Sequence, residues 1–273
     1  MEASSLTEAA CTVLRAGAPQ EKVALSHRFA EAWRDGRIAA IGQAPPPARP
    51  ARPALPLLLP PRAMKRRRGG GSLANRIALL HALAHIELNA IDLAWDLIAR
   101  FAACDPPRKF FDDWVAVADE EAAHHALVST RLQALGAAYG DLPAHDGLWE
   151  AAQATAHDLL ARLAVVPLVL EARGLDVTPP MIERMERYGD DESAAVLKVI
   201  YDDEIGHVGC GRRWFEWECA RRGIEPVASY RELVARHYGG SLKPPFNHAA
   251  RGAAGFAAAF YEGIESAHSC IGD

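Results

Sequence analysis

Two short patterns, Glu121-x-x-His124 in DEEAAHH and Glu204-x-x-His207 in DDEIGHV, each put a carboxylate and an imidazole three residues apart. On a helix such residues share a face, so each pair can aim two donors at one metal ion. Two further glutamates stand in apolar stripes: Glu87 with Ile77, Leu80, Ala84, Ile91, Ala94 and Ile98, and Glu171 with Leu160, Ala164 and Leu168. The paired glutamates keep similar company, Glu121 with Trp114, Val117, Ala118, Val128 and Leu132, and Glu204 with Leu197, Ile200, Val208 and Phe215. Burying a carboxylate is costly unless it is paired or metal-bound, so carboxylates on inward faces require an explanation, either buried polar pairing or a bound metal. Oxygen and imidazole donors of this kind suit iron or manganese.

The elements that must position these six residues are helices. From Ser72 to about Arg222, long proline-free stretches carry apolar residues at spacings of three and four, which predicts long helices over 73–103, 109–135, 148–173 and 190–222, with a short one over 180–188. Gly136 and Gly174 are the expected stops of the second and third. The spacing from Glu87 to Glu121 is 34 residues and from Glu171 to Glu204 it is 33. Two hairpins therefore repeat one layout, a lone Glu followed by Glu-x-x-His. That is the ligand pattern of ferritin-like di-iron and di-manganese carboxylate bundles. The expected fold is all-α, a ferritin-like four-helix bundle over 72–222. Pro167, one turn before Glu171, is expected to bend the third helix by removing a backbone donor.

Around this bundle lie an N-terminal part, 1–71, and a C-terminal extension, 223–273. The first reads as two short helices broken at Gly17 to Pro19, then an extended arm in which prolines recur from Pro45 to Pro61. A basic run at 65–68 precedes three glycines and reads as a solvated turn. One more helix is expected near 230–238. Thirty basic against thirty-five acidic residues give a net charge of -5, so no global basic field announces nucleic acid or a membrane surface. The five cysteines are far apart and read as reduced thiols. No secretory leader or membrane span is legible, and the expected location is the cytoplasm.

Several neighbours of the six candidates carry subsidiary expectations. Glu120 and Asp203 each precede a Glu-x-x-His and could accept a hydrogen bond from a ligand histidine of the opposite hairpin. His125 lies one turn from Glu121 and could alter the pocket or add a ligand. His81 and His85 share a face with Asp92 and Asp96, away from Glu87, and are expected at the surface. The small residues Ala122, Ala123, Gly206 and Gly209 leave space beside the metals or let helices pack closely.

The segments HALAHIELNAIDLAWD, VADEEAAHH, YGDLPAHDGLWE, LEARGLDVTPP and DDEIGHV, with the proline-rich arm and the PPFNHAARGAAGF tail, make the chain resemble a bacterial ferritin-like family of unassigned function. The resemblance spans most of the chain and implies the ferritin-like fold and the same six ligands. His125 departs from it, standing where an aromatic such as Phe is expected. The Glu171-Ala172-Arg173 element is also distantly similar to one in the tRNA isopentenyl-adenosine hydroxylase. The resulting expectation is a protein with two iron ions, manganese or a mixed pair being allowed, that activates oxygen or peroxide as a hydroxylase or oxidase. Its substrate would be a small molecule or tRNA-borne group, with an electron donor if it is an oxygenase, and a homo-oligomer is allowed. Iron oxidation and storage, peroxide scavenging, and a metal-stabilised interaction protein without catalysis are the alternatives.

Overall fold

Ser5 and Ser72 mark the two places where the chain enters its N-terminal helical layers. In the computed structural model, which describes residues 3–64, 71–238 and 242–264, Ser5 accepts the Glu8 N–H at the start of α1 (Leu6–Arg15), and Ser72 accepts the Asn75 N–H at the start of α3 (Leu73–Phe101). Among the described residues the protein is all-helical, with two isolated bridge pairs, Ser5 with Ala40 and Leu58 with Ala144. The basic run at 65–68 and Cys270 lie outside the described residues. Contacts group the chain into two units, Met1–Trp149 with Arg184–Val196, and Glu150–Glu183 with Leu197–Asp273.

In the first unit, α2 (Pro19–Arg34) follows α1 after the break at Gly17 and Ala18, with proline at its first position, where no N–H is needed. Both pack on the pair formed by α3 and α4 (Arg108–Ala134). Together with a short 3₁₀ turn, α3 spans Leu73–Cys104 and is long and apolar enough to cross a membrane. Its middle is occupied by protein instead: Leu88, Ile91, Trp95 and Ile98 are fully buried, as are Phe110 and Phe111 of α4. The arm is extended, as its prolines require, and is fastened by backbone bonds from Ala51 N–H to Leu14 O (2.7 Å) and Leu59 N–H to Ala144 O (2.8 Å). Arg52 of the arm reaches Asp92 (2.8 Å) and Asn89 (2.8 Å) on α3, and buried Lys22 of α2 reaches Asp92 from the other side (2.6 Å).

His81 and His85 are buried, which corrects the expectation of a surface position. The loop after α4 covers them. His81 Nε2 accepts from the Gly140 N–H (3.0 Å) and the Leu142 N–H (3.3 Å), while His85 bonds the Tyr139 hydroxyl (2.8 Å) and the His145 carbonyl (3.0 Å). Because that carbonyl can only accept, His85 Nε2 carries the proton, and Nδ1 accepts from Tyr139.

The second unit carries the irregular helix. After α5 (Gly147–Ala154), shared at its start with the first unit, the chain breaks at residues 155–158. Asp158 then caps α6 (Leu159–Val165) by accepting the Leu160 N–H. A π-helical segment, Val166–Glu171, follows, and α7 (Ala172–Arg187) continues from it. The chain does not stop at Gly174, and the separate helix expected over 180–188 is the end of α7, which passes through Pro179 and Pro180. One of its missing donors is replaced from elsewhere: Asn247 Nδ2 donates to Leu175 O (3.1 Å), the carbonyl that Pro179 leaves without a helical N–H. Then come α8 (Asp191–Arg222), α9 (Pro226–His237), α10 (His248–Ala253) and α11 (Ala258–Tyr261). The C-terminal segment packs through Arg251, buried and paired bidentately with Asp176 (2.9 and 2.7 Å).

Candidate metal centre

In the first unit the predicted inward phases hold except at Ile77, which is half-buried: Leu80, Ala84, Ile91, Ala94 and Ile98 beside Glu87, and Trp114, Val117, Ala118, Val128 and Leu132 beside Glu121, are all buried. Packing α3 along α4 therefore brings Glu87, Glu121 and His124 together, with one ligand atom from each lying within 4.8 Å of the others. His124 Nδ1 is 3.4 Å from Glu121 Oε2 and 3.6 Å from Glu87 Oε2. All three are buried, Glu121 fully and Glu87 at 2% exposure.

The electrostatics are those of a site short of positive charge. Burial pushes the Glu87 carboxyl well above the usual carboxylate range, the neighbouring Glu121 adds to the rise, and His124 opposes it. Burial pulls the His124 imidazole down, but Glu121 and Glu87 outweigh it and raise it above its ordinary value. Glu87 Oε2 is buried with no hydrogen-bond partner among the described residues. A buried carboxylate oxygen without a donor, two acids and one imidazole on facing helices form a donor set that fits a divalent cation.

The second unit repeats the motif in a different setting. Glu204 and His207 sit one turn apart on α8, with Nδ1 3.8 Å from Oε2; His207 is buried and Glu204 half-buried. Their stripe of Leu197, Ile200, Val208 and Phe215 is buried as predicted. Glu171 is the last residue of the π segment and is half-buried, while Leu160, Ala164 and Leu168 before it are buried. The bend expected at Pro167 takes the form of this π segment. Pro167 also fits tightly against α8, where a Cβ on Gly211 would lie 2.4 Å from the proline Cβ.

The subsidiary candidates are placed unequally. Glu120 is exposed and Asp203 half-buried. Both ring nitrogens of His125 are engaged, Nδ1 with Ala84 O (2.9 Å) and Nε2 with Ser129 Oγ (3.3 Å), so it braces α4 against α3 and offers no nitrogen to a metal. Burial holds its imidazole down to about 4, and burial with the Arg52 charge does the same to His85. Ala122 is fully buried, whereas Ala123 lines an open, largely apolar groove of about 580 Å³ with Leu127, Thr130 and Val196. Gly209 is a packing position, since a Cβ there would meet the Ala254 carbonyl at 3.4 Å; Gly206 has open space. Sequence reasoning missed the network of Lys22, Arg52, Asn89 and Asp92. Its one signal was Asp92 recurring on the same face as His85.

Comparison with known proteins adds a family and no activity. The family profile described as "Protein of unknown function (DUF455)" matches residues 15–262. A Haemophilus influenzae protein, described as uncharacterized, is 42% identical over 209 residues, covering 75% of this chain and 72% of its own. No solved structure matches.

Proposed function

Given that the chain belongs to the DUF455 family, we propose that it is a di-iron carboxylate protein, built as a ferritin-like four-helix bundle, that acts as an oxidoreductase on an organic substrate. The observation that carries this reading is the cluster of Glu87, Glu121 and His124, in which a buried Glu87 oxygen has no hydrogen-bond donor among the described residues. The sequence repeat supports the second half, because Glu171, Glu204 and His207 stand in the same order and nearly the same spacing. Each half would hold one ion through its Glu-x-x-His, with Glu87 and Glu171 completing the two donor sets. Iron bound there supplies redox chemistry toward oxygen or peroxide. The buried stripe of Trp114, Val117, Ala118 and Leu132 keeps water from the first donor set and strengthens its hold on a cation. The substrate and electron donor are external, and the proposed location is the cytoplasm.

Metal analysis after anaerobic ferrous loading tests the site. About two ions per chain are expected, and fewer than half an ion would refute it. Glu121→Ala and Glu204→Ala should each lower occupancy while circular dichroism keeps its helical signal. Oxygen consumption by the ferrous protein should slow in His124→Ala and His207→Ala. Repeated ferrous additions in air should saturate near two ions per chain. Uptake of tens of ions into a hollow assembly would replace this reading with iron storage.

A further inference from the structure

The π segment before Glu171 is held by the C-terminal part of the chain. In an α-helix the Ala172 N–H would donate to Leu168 O; here it is directed to Pro167 O and Val169 O. Leu168 O instead accepts from the hydroxyl of Tyr230 on α9 (3.0 Å), and Ala172 O accepts from Arg251 on α10 (3.2 Å). Both donors are buried, Tyr230 completely. The Tyr230 ring is fixed independently, edge-on to Phe215, Phe256 and Phe260 at centroid distances of 6.0, 5.5 and 5.6 Å.

We infer that Tyr230 is a positioning residue whose hydroxyl holds the π register and thereby sets the place of Glu171. The inference rests on the proposed role of Glu171 as a metal ligand. A π turn holds one residue more than an α turn, so relaxing it would rotate Glu171 relative to α6 by up to about 100°, the angle of one residue. Pro167 and Gly211 permit the π register, the first by lacking an N–H and the second by leaving room for the ring. Neither holds Leu168 O. The tyrosine hydroxyl does, and only that atom is lost in Tyr230→Phe, which keeps the aromatic packing.

Two measurements on the full chain test this. In the metal-free protein, amide exchange across 168–173 should quicken about five- to tenfold in Tyr230→Phe, as expected for one lost buried hydrogen bond. In protein loaded with cobalt(II), the visible ligand-field spectrum should change in the same variant, because it reports the ligand geometry. Pro167→Ala, which restores a helical donor, should move both readouts in the same direction. Unchanged exchange, or changed exchange with an unchanged cobalt spectrum, would overturn the inference. Altered exchange in a protein whose wild type takes up no cobalt would leave the register role standing and sink the metal reading instead.

Discussion

Two sets of acids are buried along α3, and they are neutralised in different ways. Asp92 is fully buried between Lys22 (2.6 Å) and Arg52 (2.8 Å), and Asp96, equally buried, is bonded by Arg100 (2.6 Å). Burial pushes the Asp92 carboxyl up, and Arg52 and Lys22 oppose the rise without cancelling it. Glu87, a little over one turn earlier, has no such partner: the charged groups that bear on it are the His124 imidazole and a second carboxylate, Glu121. The difference shows that this helix answers a buried acid with lysine or arginine where the purpose is structural. Where it does not, the proposed metal site leaves room for a cation from solution, which a permanently attached base would exclude.

The largest effect is expected where the built-in pairing is broken. Asp92→Ala strands Lys22 and Arg52 in the interior and should cost about 3–5 kcal/mol in urea unfolding, with or without metal. A loss below 1 kcal/mol would mean that the arm is held by other contacts and that the comparison is misdrawn.

Acid should act next. His85 and His125 are buried and neutral, held near 4, below the ordinary imidazole value of 6.5. A folded-state value below the unfolded one means their contribution is complete above about pH 6.5 and is lost as pH falls from there to 4. Each then costs roughly 3 kcal/mol. Exchange at the Gly140 and Leu142 amides, which bond His81 beside them, should quicken through that window. His125→Phe should flatten the pH slope of unfolding, and an unaltered slope would refute a neutral buried His125.

A smaller effect of opposite sign is expected at Glu87. Glu87→Gln removes a carboxylate that burial disfavours, so the metal-free protein should be as stable or more stable at pH 7.5, by about 1 kcal/mol. On the proposed metal site, saturating cobalt(II) or ferrous ion should raise the melting midpoint of the wild type, and the same variant should lose that shift. Lower stability without metal, together with an intact metal shift, would break the contrast with Asp92. Exposed Glu120 should matter least: Glu120→Gln is expected within about 0.5 kcal/mol of wild type.

The sequence by itself determined the all-helical class and the inward face of each helix that carries Glu87, Glu121 or Glu204, because side-chain phase along a helix follows from residue spacing alone. It also determined the meeting of donors within Glu121-x-x-His124 and Glu204-x-x-His207, which one turn of helix enforces. It did not determine what crosses from one segment to another. His81 and His85 are buried only because the loop around Tyr139 folds over them, and Lys22 and Arg52 meet Asp92 only because α2 and the arm lie on α3. The helix expected to stop at Gly174 runs on through Pro179 and Pro180, where Asn247, more than 70 residues from Leu175 in sequence, donates to the Leu175 carbonyl, and Tyr230 donates to Leu168 O at the π segment. Local periodicity is a property of neighbours within about one helical turn. Satisfying a stranded carbonyl or a buried charge takes partners that only the tertiary structure brings within 3 Å or so.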